Sequence, residues 1–465
     1  MLEPTPKINH RRTFALLCVY ACIGLIVGVV AIAFQQLMSV ANIFILEGIA
    51  GYGETRIVWG ERRISLPWNR PPLRWWFFPF LAGLGGLLTG WIVNRFAPEA
   101  GGHGTDEVIH AYHTKGGILR PRASIVKMIA STITLGTGGS GGKEGPIAQI
   151  GAGVSSLLVQ KIPALAQYRR EIILAGMSAG IAAIFNAPLA AAIFATEILY
   201  SDLRFEGRVL IPAIIASATA YAVYTMYFGL APVIPLPEFT YNISLVDFPA
   251  FTVLGIITAL AAITFVRMFY FIRDRIKALN IPACYKPAIG GVITGLIAIF
   301  VPPVLGEGSF GLRKIILGEF SLGLLALCFV GKMLATSFCI GSGGSGGVFG
   351  PSLFAGAALG GTFGGLYQWL FPASDIPITV FILVGMVGFF AGAANAPVST
   401  VIIVAEMTRS LHLLAPFIWV SAFGYLFSQK WNIYENQITE VSDVMSTSVD
   451  DNLGRESCAT TYDGT

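Results

Sequence analysis

Long uncharged runs recur along this chain and are separated by shorter polar stretches. The first run, residues 14–38, has 25 residues, enough for a tilted helix to cross about 30 Å of hydrocarbon. Comparable runs, which we predict to be membrane helices, occupy residues 75–93, 209–224, 249–266, 288–301, 322–330, 376–390 and 413–427. The pattern predicts an all-α polytopic membrane protein.

Shorter apolar segments lie between these runs and are bounded by glycine and proline. Segments 147–159 and 189–196 are too short to cross the bilayer as straight helices. Non-helical backbone at membrane depth is tolerated only where it is buried in protein or lines a cavity. We therefore expect many tilted or incompletely spanning helices around an internal site.

Composition agrees with this class and excludes others. Hydrophobic residues make up 54% of the chain and charged residues only 12%, about half the charged share of soluble domains. The net charge of +4 is spread along the chain, so no basic patch supports nucleic-acid binding. The five histidines are dispersed, and no metal-ligand cluster, nucleophile–base pair or cofactor motif indicates an enzyme.

Two motifs occur twice in the same order. Residues 138–146 (GGSGGKEGP) recur 205 residues later as 343–351 (GGSGGVFGP). An Asn-Ala-Pro segment precedes Glu197 by eleven residues, and a second precedes Glu406 by eleven. This order indicates a duplicated unit, with the transport site where the two halves meet. The expected divisions are a cytosolic tail 1–13, repeat 1 at 14–227, a linker 228–247, repeat 2 at 248–440, and a final segment 441–465.

The glycine motif has the features of an anion site. Its glycines leave the backbone N–H groups uncovered, and its proline suits the first turn of a helix. Such a turn places N–H donors at the positive end of a helix dipole. Two turns from opposed halves predict one anion held near mid-membrane by partial charges, which permit its release. The alternative is that the glycines only allow close helix packing.

A phosphate-binding P-loop is excluded by two residues. Position 137 is Thr where the P-loop pattern needs Gly, and Glu144 follows Lys143 where it needs Ser or Thr.

Glu144 breaks the symmetry of the repeat, because the second copy has Phe349 in its place. An ionised carboxylate amid helix N-termini can occupy the position of the transported anion. When protonated it loses that attraction and can swing away. Intramembrane carboxylates are functional candidates, so we predict that Glu144 is a gate; the alternative is a helix cap. A purely structural membrane protein needs no such asymmetric residue.

These motifs resemble the CLC family of chloride channels and proton/chloride antiporters. The resemblance covers roughly residues 14–440 and includes GKEGP (142–146), GGVFGP (346–351), both Asn-Ala-Pro segments and the late Tyr434. It implies a homodimer, with one anion pathway per subunit and about eighteen helices in two inverted-topology halves. It further implies chloride transport without a cofactor or a metal site, and Glu144 as the external gate. The anion-binding residues expected on this basis are His103, Gly145, Val348, Phe349 and Tyr434.

Two departures from the family pattern bear on function. Residues 102–106 are GHGTD where the family usually has Gly-Ser-Gly-Ile-Pro, so the His103 N–H takes the place of a serine hydroxyl. If the His103 N–H binds the anion, the anion selectivity is expected to differ from simple selectivity for chloride. The alternative is that His103 only packs against its neighbours and backbone amides bind the anion. Ile198 stands where antiporters of the family commonly have a second glutamate that takes up cytoplasmic protons. We expect proton-coupled chloride antiport, and a passive chloride channel remains the alternative. Glu197 is expected to be a buried structural carboxylate, with Glu406 as its repeat mate.

The final segment begins with VSDVM (441–445), which is similar to the opening of a cytosolic CBS domain. About twenty residues follow, too few to fold such a module. The resemblance as a whole implies a multi-pass protein of the bacterial inner (cell) membrane.

Overall fold

A computed structural model of the chain describes residues 10–53, 57–59, 62–64 and 71–438. Sixteen α-helices lie within these residues. In the first half they are α1 (His10–Ala41), α2 (Phe78–Phe96), α3 (Thr105–His113), α4 (Pro121–Gly136), α5 (Glu144–Lys161), α6 (Arg169–Phe185), α7 (Pro188–Glu197) and α8 (Gly207–Phe228). In the second half they are α9 (Phe248–Lys277), α10 (Lys286–Phe300), α11 (Ser309–Ile316), α12 (Leu322–Gly341), α13 (Phe349–Leu370), α14 (Ile378–Ala394), α15 (Pro397–Thr408) and α16 (Leu414–Ser428).

The two halves correspond element by element, α1–α8 to α9–α16. Even the short turns before α3 and α11 match, at Pro98–Ala100 and Pro302–Val304. Seven segments of the described chain are long and apolar enough to cross a membrane, and the helices between them are shorter. The expected all-α, two-repeat architecture is confirmed. Its helix count is sixteen in the described residues, against the expected eighteen or so.

The Asn-Ala-Pro segments form two identical helix breaks. Asn186 ends α6 and Asn395 ends α14, both in the left-handed conformation with φ of 51° and 52°. Asparagine tolerates this conformation better than most residues. Pro188 and Pro397 then begin α7 and α15, where a missing N–H costs nothing. The repeat therefore encodes a short helix at the same place in each half.

The loop between α1 and α2 departs slightly from an all-α fold. Two three-residue strands, β1 (Ile57–Trp59) and β2 (Arg62–Ile64), pair antiparallel within it. Residues 42–47 extend α1 by a turn of π-helix. The segment predicted to resemble the opening of a CBS domain lies outside the described residues.

Candidate anion pathway

The two copies of the glycine motif are hydrogen-bonded directly to each other. The Gly142 N–H donates to the Gly347 carbonyl at 2.7 Å, and the Gly347 N–H donates to the Gly142 carbonyl at 2.6 Å. This antiparallel pair lies just before α5 and α13, so it brings the N-termini of the two helices together from opposite halves. The first N–H groups of a helix have no partner within it. The duplicated motif thus concentrates donors at one point.

Two further loops complete the junction. The Gly102 N–H donates to the Gly344 carbonyl at 3.0 Å, and the Gly346 N–H donates to the Gly102 carbonyl at 3.2 Å. Gly306 makes the matching pair of bonds with residues 138–141, at 3.4 and 3.2 Å. The backbone polar groups that interrupt the helices are therefore satisfied by the opposite half, as an intramembrane break requires.

An outer cavity of about 460 Å³ opens at the N-terminus of α5 and is lined in part by Lys143, Glu144 and Glu307. The Lys143 Nζ lies 3.2 Å from a Glu307 carboxylate oxygen and donates to the Gln35 side-chain oxygen at 2.9 Å. Glu307 corresponds in the second repeat to His103, since each lies between two glycines before a short helix. The side chains that line this cavity thus include two cations, Lys143 and Arg313, and two carboxylates, Glu144 and Glu307.

Glu144 lies at the inner end of this cavity and is 8% exposed. One of its oxygens accepts the backbone N–H of Gly350 in the first turn of α13. The other, Oε2, is buried without a hydrogen-bond partner. A Cβ atom on Gly142 would lie 1.8 Å from Oε2, so any side chain at position 142 displaces the carboxylate. Glu144 therefore occupies the positive end of the α13 dipole, where an anion is favoured.

A very small cavity of about 10 Å³ follows, and Glu144 lines it as well. Its other walls include Thr105, Phe349 and Tyr434. Tyr434 is 2% exposed, and its hydroxyl is hydrogen-bonded to the Thr105 side chain at the start of α3. Glu144 and Tyr434 thus bound the same space, with the first residue of α13 beside them.

Asp106 fixes the segment that carries Tyr434. Its carboxylate accepts the Asn436 backbone N–H at 2.9 Å and also the Asn436 side-chain amide. The Tyr270 hydroxyl donates to the Ile433 carbonyl at 2.8 Å. These bonds hold the residues on both sides of Tyr434 against α3 and α9.

His103 packs beside Tyr434 and lines a different cavity from those lined by Glu144. The two ring centroids are 5.5 Å apart, and His103 also lines a second open cavity of about 460 Å³ together with Arg273, Lys277 and Lys286. Its Nδ1 is buried without a hydrogen-bond partner. Glu144 thus lines the outer and the small cavity, Tyr434 lines the small cavity and contacts His103, and His103 lines the second open cavity.

Gly145 and Val348 occupy the helix starts beside this path. Gly145 is the second residue of α5, and a Cβ atom there would lie 1.8 Å from the His103 carbonyl oxygen. Val348 immediately precedes α13 and is 2% exposed. The structure therefore brings all six residues singled out from the sequence to the junction of α3, α5 and α13.

Two buried lysines at this junction were not predicted. Lys127 of α4 and Lys332 of α12 are both 0% exposed. The Lys127 Nζ donates to the carbonyls of Ala100 (3.2 Å) and Gly102 (2.7 Å). The Lys332 Nζ donates to the equivalent carbonyls of the second half, Val304 and Gly306, both at 3.0 Å. The spacing of the two lysines, 205 residues, equals that of the glycine motif and is the sequence signal that would have revealed them.

Each lysine holds the loop before a short helix, α3 or α11. Its charge is offset only by carbonyl oxygens among the hydrogen bonds of the described residues. A buried positive charge makes the electrostatic potential along the adjacent path more favourable for anions. In the described part of the chain, no group of three His, Cys, Asp or Glu side chains is arranged to hold a metal ion.

Known proteins resemble this chain in sequence. The family model described as voltage gated chloride channel matches residues 85–429. The H(+)/Cl(-) exchange transporter ClcA of Vibrio campbellii is 30% identical over 422 residues, 90% of this chain and 87% of the relative. A putative chloride channel protein, ClcB-like, of Ralstonia nicotianae is 30% identical over 359 residues, 76% of this chain and 83% of the relative.

Solved structures share the fold. A slow cyanobacterial Cl-/H+ antiporter superposes with a TM-score of 0.78 at 24% identity, over 89% of this chain and 94% of its own. A CLC-type fluoride/proton antiporter superposes with a TM-score of 0.76 at 22% identity, over 93% and 100%.

Proposed function

This chain belongs to the voltage gated chloride channel family, the CLC family, and we propose that it exchanges chloride for protons across the membrane, with Glu144 as the gate. One observation carries the proposal. Glu144 lines both the outer cavity and the small central cavity, so its carboxylate stands between them.

The central anion is bound by partial charges. The N–H groups of Gly145, Val348 and Phe349 lie at the starts of α5 and α13, where helix dipoles favour negative charge. The Tyr434 hydroxyl adds a donor from the opposite side, and the His103 ring adds an N–H from the inner cavity. Hydrogen bonds of this kind hold chloride without the permanent attraction of an ion pair.

Glu144 couples this site to protons. When ionised, its carboxylate is itself the anion at the N-terminus of α13 and excludes chloride from that position. Protonation removes the charge and hence the attraction of the helix dipole, so the side chain leaves and chloride enters. Since the same position alternates between chloride and carboxylate, proton binding and chloride binding become linked.

The distribution of basic side chains supports an orientation. Among the described residues, more lysines and arginines lie on the face where α1 begins than on the opposite face. They are Arg12, Lys115, Arg120, Arg169, Arg170, Arg204, Arg208, Arg273, Lys277 and Lys286. This excess remains even if the four arginines of residues 54–70 are all counted with the opposite face. By the positive-inside rule the first face is cytoplasmic, so Glu144 opens to the outside and His103 to the inside. A bacterial cell membrane and a homodimer follow from the family resemblance.

A passive chloride channel is the second candidate, and Ile198 favours it. This side chain is apolar and 0% exposed, so it can neither bind nor conduct a proton.

The reversal potential of the reconstituted wild-type protein tests the proposal. Under a chloride gradient, an exchanger reverses away from the chloride equilibrium potential, and a pH gradient shifts its reversal potential further. A channel reverses at the chloride equilibrium potential whatever the pH gradient, and that result would reject exchange while leaving the anion pathway intact.

A further inference from the structure

The end of α7 is closed to water at Ile198. The Ile198 N–H donates to the Phe194 carbonyl at 3.0 Å, and its carbonyl accepts the Gln437 side-chain amide at 3.0 Å. Leu199 is also 0% exposed. If protons reach Glu144 from the cytoplasm, they must be captured elsewhere.

A titratable group is tied to the same helix end. The Glu206 N–H donates to the Thr196 carbonyl of α7 at 3.4 Å, and the Glu206 carboxylate accepts the Tyr200 hydroxyl at 3.2 Å. Glu206 lines a cavity of about 600 Å³ on the face that we assign to the cytoplasm. The Tyr112 hydroxyl of α3 is hydrogen-bonded to the same carboxylate. Glu206 is thus held by two phenols at the rim of an open cavity.

A buried histidine packs against Tyr200, whose hydroxyl donates to this carboxylate. His113 is 8% exposed, and its ring centroid is 5.7 Å from that of Tyr200. Its Nε2 lies 2.9 Å from the Leu199 carbonyl, which can only accept, so Nε2 carries the proton. The lone pair of the neutral ring is therefore on Nδ1 and can take a further proton. The series of contacts from Glu206 through Tyr200 to His113 thus ends at the Leu199 carbonyl, one residue from Ile198.

We propose that Glu206 captures protons from the cytoplasmic cavity and passes them to His113, replacing the acid that is missing at Ile198. The carboxylate takes a proton from the water of the cavity and becomes neutral. It gives that proton to His113 Nδ1, and the imidazolium then gives the same Nδ1 proton to a water molecule that enters on the side of Glu144, while Nε2 keeps its own proton. Tyr112 and Tyr200 position the carboxylate. The inference rests on the proposed exchange of chloride for protons.

The cavity also supplies a matched control. Glu171 is a second carboxylate that lines it without a place in this relay. The charged and titratable groups around Glu206 are Tyr112, His113, Arg169, Arg170, Glu171, Tyr200, Arg204 and Arg208. Neutralising Glu206 or Glu171 changes the charge of the cavity by the same amount, so a difference between the two variants reports on the relay itself.

The experiment measures chloride efflux and uphill proton movement from liposomes containing wild type, Glu206→Gln, Glu206→Asp or Glu171→Gln. We expect Glu206→Gln to lower the ratio of protons to chloride roughly tenfold or more, because an acid–base group is lost. Glu206→Asp keeps a carboxylate and should retain most proton movement, and Glu171→Gln should match wild type.

The outcomes separate the two proposals. A wild type that moves no protons uphill rejects exchange itself. A wild type that does so, with an unchanged ratio in Glu206→Gln, overturns the role of Glu206 alone. Equal losses in Glu206→Gln and Glu171→Gln also overturn it, since cavity charge then explains the effect. If Glu206→Gln also loses chloride efflux, Glu206→Asp decides: recovery of both fluxes supports the acid, and failure to recover rejects it.

Discussion

The Glu197 carboxylate accepts the backbone N–H of Ser399 at 2.8 Å and so caps a helix of the opposite half. Its second oxygen accepts the Val398 N–H at 2.9 Å. Glu406 returns the contact, since it accepts the Ala190 N–H of α7 at 3.0 Å. The glutamate near the end of each short helix thus caps the start of the short helix in the other repeat. This is the structural role expected for Glu197 and its repeat mate.

The first prediction concerns these two caps. Glu197→Gln removes a negative charge from the N-terminus of α15, and we expect it to lower the free energy of unfolding by about 1–2 kcal/mol. Glu406→Gln should cost less, because Glu406 is less buried. Thermal unfolding midpoints in detergent measure both effects. Chloride flux per folded protein should stay at the wild-type level, and a selective loss of proton movement in Glu197→Gln would contradict a purely structural role.

The second prediction concerns the gate. Glu144→Gln has the shape of the protonated side chain and no charge, so it cannot compete with chloride for the N-terminus of α13. We expect chloride flux that no longer depends on external pH. The measurement is chloride efflux at a series of external pH values, with wild type as the control. Unchanged pH dependence in the variant would place the gate elsewhere.

The third prediction concerns Tyr434. Its hydroxyl faces the central cavity beside Thr105, so Tyr434→Ala should weaken chloride binding about tenfold and loosen the coupling of chloride to protons. Isothermal titration calorimetry measures the affinity. Tyr434→Phe keeps the ring and removes only the hydroxyl, and it separates the hydrogen bond from packing. Wild-type affinity in both variants would leave the amides of Val348 and Phe349 as the binding groups.

The fourth prediction concerns Ile198. A hydrocarbon side chain has no proton affinity, so Ile198→Ala and Ile198→Thr should preserve or raise proton flux by admitting water. Uphill proton movement under a chloride gradient is the measurement. An abolished proton flux with intact chloride flux in both variants would show that this side chain itself is needed for the proton route.

The fifth prediction concerns the paired lysines. Lys127→Met removes one donor from each of the Ala100 and Gly102 carbonyls, which keep those of Ser345 and Gly346, and removes a positive charge from the inner part of the path. We expect weaker chloride binding by calorimetry, because a buried positive charge that attracts anions to the adjacent path is lost. Lys332→Met makes the same change beside Glu307 and should alter chloride access from the outer cavity more than central affinity. If both variants lowered chloride affinity equally, the effect would come from the overall loss of positive charge and not from the position of each lysine along the path.

Because two motifs occur twice in the sequence, much of the fold could be predicted from it. The glycine motif and the Asn-Ala-Pro segments marked the helix starts and breaks, because glycine, asparagine and proline each impose a backbone requirement that does not depend on distant partners. Contacts across the two halves were not accessible. The bond between Asp106 and Asn436, which holds Tyr434 in place, joins residues far apart in the chain, and neither shows a local pattern.

The buried lysines illustrate a different limit. A lysine within an apolar run usually indicates a helix end, because its side chain can extend to the membrane surface. Lys127 and Lys332 instead lie where interrupted helices leave carbonyl oxygens that need donors. Only the position of these breaks in three dimensions shows why two charges are tolerated there.

The reciprocal backbone bonds between Gly142 and Gly347 have a consequence for biosynthesis. When the first half, residues 14–227, has been inserted, Gly347, the partner of Gly142, is still 120 residues from being made. Until then, the backbone amides of the non-helical segment before α5 must remain in the bilayer either unpaired or hydrogen-bonded to water. We expect the first repeat to remain loosely assembled until α12 and α13 arrive, so that the anion pathway is the last part of the nascent protein to close.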